Sequence, residues 1–203
     1  MDQRTEDWFA ARMGKVTASK VADILATTRS GPAASRRNYM MQLLCERLTG
    51  NREESWQNAA MQRGTELEPF ARIAYEAVQG EVVEEVGFII HPRIDGFGAS
   101  PDGLVGPNGL VEIKCPNTAQ HVEFLRTGKI ESKYDWQMRA QMACTNRDWC
   151  DFASYDDRLP EPLQLKVVRV YREEEKELEM LEAIHKFLDE LSALESELKA
   201  LAA

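Results

Sequence analysis

Nothing in the 203 residues approaches the roughly 18 consecutive apolar positions that a membrane-spanning helix needs. The opening MDQRTEDWFAARMGK is also too charged for a signal peptide. Cysteine and histidine are few and scattered. Cys45, Cys115, Cys144 and Cys150 form no C-x-x-C pair, and His91, His121 and His185 lack metal-ligand spacing. These absences argue against a zinc site or an iron–sulfur cluster and predict reduced, mostly buried thiols. Internal repeats and low-complexity linkers are missing too, so one domain spanning 1–203 is expected, in the cytoplasm and without a membrane partner.

Positive charge is short as well, with 25 Lys/Arg against 34 Asp/Glu and a net charge of −9. Taken as a sum, this argues against a polyanionic partner, but the distribution is uneven. Residues 1–50 hold eight basic and five acidic side chains, whereas residues 151–203 hold seven and fourteen. A basic N-terminal segment can line a nucleic-acid groove while acid faces elsewhere.

What is present suffices for a sizeable core, since 43% of residues are hydrophobic. Helices are predicted over Thr17–Ala26, opened by a capping hydroxyl, over Arg36–Leu48 before Gly50, and over Met61–Val78 before Gly80. Strands are predicted at Val82–Ile90, Phe97–Ser100 and Leu110–Cys115, followed by a helix at Tyr134–Thr145 and strands at Trp149–Tyr155 and Leu163–Tyr171. From Glu173 to Ala200 a helix of about 40 Å carries Leu181, Ile184, Leu188, Leu191, Leu194 and Leu198 in one stripe on an acidic background. Such a stripe packs on its own domain, the preferred reading, or on a partner.

The stretch ASPDGLVGPNGLVEIKCP, Ala99 to Pro116, carries the chemistry. Alternation along a strand puts Glu112 and Lys114 on one face and Val111 and Ile113 on the other. Asp102 and Glu112 suit a hard cation such as Mg²⁺, the Ile113 carbonyl can add an oxygen, and Lys114 can act on the attacking water. Taken alone, this string is more often just a solvent-facing edge strand guarded by a lysine. The helix RGTELEPF offers a third acid, with Glu66 and Glu68 as candidates.

SPDGL, GLVEIKCP, YDWQMRAQM and ASYD occur in that order, preceded by WFAARMGKVTASK and RGTELEPFAR. Together they resemble the YqaJ-type viral recombinases, the bacteriophage lambda exonuclease family within the PD-(D/E)xK nuclease superfamily. The likeness spans roughly residues 8–171, and the acidic helix of 173–203 matches least. It implies an α/β (α+β), restriction-endonuclease-like core in which helices flank a central mixed sheet, with a long C-terminal helix. It also implies a 5′-to-3′ exonuclease that uses two Mg²⁺ ions, replaceable by Mn²⁺. The substrate would be double-stranded DNA with a 5′-phosphate end, digested to 5′ mononucleotides so that a 3′ strand remains for recombination.

Residue by residue, the resemblance makes Asp102, Glu112 and the Ile113 carbonyl metal ligands. Lys114 serves the nucleophilic water, and Glu68 holds the second metal or its water. Gln137, in a Q-x-x-x-Q helix, positions water or Lys114. Arg12, Thr17 and Ser19 match the terminal-phosphate pocket, Arg29 an arginine that reaches into DNA, and Met61 an apolar wedge between bases. A homotrimeric ring and a single-strand annealing protein are the implied partners. The alternatives are a structure-specific or restriction-like endonuclease, disfavoured because it needs no end pocket, and a catalytically silent DNA-binding scaffold.

Overall fold

The computed structural model describes residues 2–29, 31–52 and 58–201. Helix α1 (Glu6–Arg12) starts at Thr5, whose hydroxyl accepts the Trp8 N–H at 3.3 Å. Strand β1 (Val16–Thr17) comes next, and here the predicted Thr17–Ala26 helix is corrected. Thr17 is extended and makes no side-chain cap bond; a 3-10 turn (Ala18–Lys20) and a short α2 (Val21–Leu25) follow it. The cause is tertiary, because Val16 and Thr17 pair in parallel with Phe97 and Gly98. A ribbon of β2 (Thr27–Thr28) and β3 (Gly31–Pro32) leads into α3 (Ala34–Thr49), which ends at Gly50 in the left-handed region. Helix α4 (Ala59–Gln79) runs from the Asn58 cap to Gly80.

The single strand expected over Val82–Ile90 is two strands serving different sheets. β4 (Val83–Glu84) pairs with β7 (Gly103–Val105), while β5 (Ile89–His91) pairs with β6 (Ile94–Ala99). β7 turns through Gly106, at φ +53°, into β8 (Gly109–Lys114). Gly103 admits no side chain, because an added Cβ would overlap Val83. Then come α5 (Thr118–Thr127), α6 (Ser132–Thr145), β9 (Trp149–Tyr155), β10 (Leu165–Tyr171) and α7 (Glu174–Ala200); residues 202–203 of the expected C-terminal helix lie outside the described residues.

The larger sheet has the order β10-β9-β8-β7-β4, parallel only between β8 and β9. β8 is therefore central rather than an edge, and every residue from Gly109 to Ile113 is buried. α4 covers one face, with Ala71 and Tyr75 against Val83, Val105, Val111 and Ile113. α5 and α6 cover the other, with Phe124, Met138 and Met142 against Leu110, Cys150 and Phe152. This is the expected mixed sheet flanked by helices.

A second sheet, β1-β6-β5, meets α2, α3, α6 and α7 in a separate core. The stripe of α7 packs on its own domain: Met180, Ile184, Phe187 and Leu191 are fully buried beside Tyr39, Met40, Leu43 and Leu44, while Leu198 is exposed. Two ion pairs fasten the same helix to α3, Arg36 to Glu190 at 2.8 Å and Arg47 to Glu195 at 3.2 Å. All four cysteines are free, but only Cys144 and Cys150 are buried; Cys115 is intermediate and Cys45 exposed, which corrects the expectation of mostly buried thiols.

Candidate active site

The period-2 geometry of β8 turns Glu112 and Lys114 towards α6. Glu112 is 0% exposed, and a carboxylate so enclosed is costly unless its oxygens are bonded. Three donors meet it. Lys114 Nζ and Gln137 Nε2 reach Oε1, the latter at 2.7 Å, and Gln141 Nε2 reaches Oε2 at 2.5 Å. Gln137 and Gln141 are four residues apart and so share one face of α6. Burial lowers the Lys114 pKa, but the Glu112 and Asp102 charges outweigh it and hold the pKa above its ordinary value. The lysine is therefore a cation here at neutral pH, suited to orienting water and facing negative charge.

Asp102 stands at the entrance to β7. Pairing of β7 with β8 ends at Gly103 opposite Val111, so the Ile113 amide on that side has no strand partner. The Asp102 carboxylate supplies one, accepting it at 2.7 Å. The amide and carbonyl of one strand residue project the same way, so the Ile113 carbonyl also faces Asp102. Burial first, and then the Glu112 and Glu68 charges, push the Asp102 carboxyl far above the usual carboxylate range, against the opposing pull of Lys114.

Glu68, on α4, closes the opposite side. Its Oε2 accepts from Arg4 Nη2 at 2.5 Å, and its Oε1 faces Arg72 at 3.6 Å. Between Glu68 and Asp102 opens a cavity of about 390 Å³, also lined by Asp2, Gln3, Glu85 and Val86. Asp102, Glu112 and the Ile113 carbonyl are all hard oxygen donors, a chemistry that fits Mg²⁺ better than a soft ion. Among the described residues, no three His, Cys, Asp or Glu side chains are drawn together as a metal cluster, and Glu68 faces its arginines instead. Glu66 lies exposed on α4, bonded to Gln62.

The residues that the resemblance matches to a terminal-phosphate pocket lie around Tyr39 and Ser100. Arg12 stacks on Trp8, 3.9 Å from the ring centre, and Nη1 donates to Ser100 Oγ at 3.2 Å. Burial lowers the Arg12 pKa to about 10, which still leaves it charged at neutral pH. Tyr39 Oη accepts the Thr17 amide at 3.1 Å, and the Thr17 and Ser19 hydroxyls lie 3.4 Å apart. Ser100 precedes Asp102 by two residues, so this group adjoins the acids. Arg29 lies exposed at the tip of the β2–β3 ribbon, and Met61 is 57% exposed in the first turn of α4. Neither is drawn into the central cluster.

Two residues go beyond those singled out from the sequence. Gln141 was legible as the second glutamine of Q-x-x-x-Q, whereas Arg4 carries no sequence signal, because only the folded chain brings it to Glu68.

A family profile described as a YqaJ-like viral recombinase domain matches residues 7–148. The chain is 57% identical to LHK-Exo, an alkaline exonuclease from Laribacter hongkongensis, with 98% of each chain covered and a TM-score of 0.91; that protein has also been crystallised with dAMP. A phage-related exonuclease from Haemophilus somnus 129PT, at 15% identity over 93% of this chain and 96% of its own, shares the fold with a TM-score of 0.68. Among curated proteins there is no significant match. By its profile match over most of its length and its likeness to an exonuclease of the same fold, the chain belongs to the YqaJ-like viral recombinase family of nucleases.

Proposed function

We propose that the protein is a Mg²⁺-dependent exonuclease that enters duplex DNA at a 5′-phosphorylated end, releases 5′ mononucleotides and leaves a 3′ strand. One observation carries this reading: the Arg12–Ser100 bond joins an end-binding group to the loop that presents Asp102. An endonuclease has no use for an end pocket beside its acids. The dAMP bound by LHK-Exo belongs to the expected product class.

Asp102, Glu112 and the Ile113 carbonyl would hold one ion and Glu68 a second, with Mn²⁺ as a substitute. When bound, such ions neutralise charge on the phosphate and acidify water. Lys114 holds the attacking water and faces the charge that grows on the phosphate oxygens. Gln137 keeps the shared Glu112 oxygen, and hence Lys114, in place. Arg12 takes the terminal phosphate through its guanidinium fork, with the Thr17 and Ser19 hydroxyls beside it. Arg29 on its exposed ribbon and Met61 on its exposed turn are the reach and the wedge towards the duplex.

An acidic chain acting on a polyanion gains from turning its basic segments towards one another. A closed ring of three subunits does this, predicting a solution mass of about three times 23.1 kDa. The 3′ strand would pass to a single-strand annealing protein.

The test is digestion of duplexes labelled at either end, with closed-circular DNA as control, in Mg²⁺ and in EDTA. Metal-dependent release of the 5′ label as mononucleotide is expected. Release of the 3′ label first would reverse the direction, cutting of the closed circle would mean an endonuclease, and intact DNA throughout would mean a scaffold.

A further inference from the structure

Residues Asp2 to Thr5 form a strap across the acidic side of the site, outside any helix or strand. Gln3 pins it, its Nε2 donating to the carbonyls of Val86 at 2.9 Å and Pro101 at 2.8 Å, the latter next to Asp102. The chain then takes a left-handed turn at Arg4, φ +68°, a conformation that side-chain-bearing residues avoid and that persists where surrounding contacts impose it. The contact it serves is the 2.5 Å bond from Arg4 Nη2 to Glu68 Oε2.

The two partners differ in access. The Arg4 side chain is 48% exposed and that of Glu68 only 17%, so the guanidinium stands at the mouth of the cavity and the carboxylate inside it. Arg4 can swing into solvent without unfolding any element. With Arg72 facing the other oxygen, Glu68 already has cationic neighbours on both sides, and one of them is free to leave.

We propose that Arg4 is a resident cation of the active site, pairing with Glu68 until a divalent ion displaces it, so that the strap sets the ion's apparent affinity there. The inference rests on the reading of Glu68 as a residue of the second metal. An ion arriving at Glu68 competes with a guanidinium that the bonds of Gln3 keep beside it. An ion pair this exposed weakens its competitor by no more than about five-fold.

The test is calorimetric titration of Mn²⁺ into the metal-free full chain without DNA, so that nothing depends on turnover. Glu68→Gln identifies the Glu68-dependent binding event by removing it. Arg4→Gly removes the guanidinium and suits the left-handed backbone, Arg4→Gln removes the charge but keeps a stem, and Arg4→Lys keeps a cation. Both neutral variants should tighten the Glu68-dependent event about two- to five-fold, with Arg4→Lys within two-fold of wild type. Unchanged or weaker Mn²⁺ binding in either neutral variant, while Glu68→Gln still removes the event, would overturn the role of Arg4 alone. If Glu68→Gln leaves Mn²⁺ binding intact, the metal role of Glu68 fails, and this proposal fails with it.

Discussion

Gln141 holds Glu112 from below: its amide nitrogen lies 2.5 Å from the carboxylate Oε2, and neither side chain is exposed to solvent. Glu112 thus meets the site through one oxygen shared by Lys114 and Gln137, while the other is committed to the core.

Gln141→Leu should therefore be the costlier of the two glutamine changes, because it leaves a buried carboxylate oxygen without a partner. The penalty is about 1–3 kcal/mol, or roughly 2–12 °C in melting temperature for a chain of this size. Gln137→Leu, at a half-buried position, should melt closer to wild type while still slowing cleavage. Thermal melts of both in EDTA check this; equal destabilisation would mean that burial does not separate their roles.

Lys114→Ala should cut turnover by about 10²- to 10⁴-fold while leaving duplex binding intact, since the lysine acts on water and developing charge. Binding by anisotropy and cleavage on the same duplex compare the two directly. Turnover like that of wild type would take Lys114 out of the chemistry.

Arg12→Ala should slow digestion of 5′-phosphorylated ends by about 10- to 150-fold, the loss of a charge-assisted bond worth roughly 1.5–3 kcal/mol. Ends bearing a 5′-hydroxyl should be affected far less. Equal slowing of both ends would show that Arg12 serves the fold through Trp8 and Ser100 instead.

Phe187→Ala should cost about 3–5 kcal/mol, because the ring is fully buried and stacks on Tyr39 with centroids 5.7 Å apart. Truncation after Arg172 exposes the whole partner surface of α7 and should give an insoluble product. A soluble, active truncated chain would mean that the apolar face of α7 is spare surface for a partner.

Local pattern foretold the structure where tertiary environment agrees with it. Alternation at Glu112 and Lys114 marked β8, and Trp149–Tyr155 reads as a strand in sequence and in fold alike. Local pattern failed where distant partners decide. Thr17 has the look of a helix cap but is drawn into β1 by Phe97 and Gly98. Val82–Ile90 is continuous in character yet splits because its two halves join different sheets. α5 had its signals, the Asn117 cap and the Gly128 stop, but the ten residues between them carry few apolar side chains to mark a buried face. Arg4 was beyond reach, since Gln3 places it by bonds to carbonyls 83 and 98 residues away.

The core that joins Val16, Val21, Tyr39 and Leu43 to Met180, Ile184, Phe187 and Leu191 also sets an order of events during synthesis. The elements bearing Glu68, Asp102, Glu112 and Gln141 are all made before α7, at a translation rate of about 5–20 residues per second. Tyr39 must wait on the order of ten seconds for Phe187, the ring that stacks on it. On the proposed reading, a nascent chain would carry its acids before its pocket for a DNA end is complete, and the docking of α7 would be the moment at which it becomes competent.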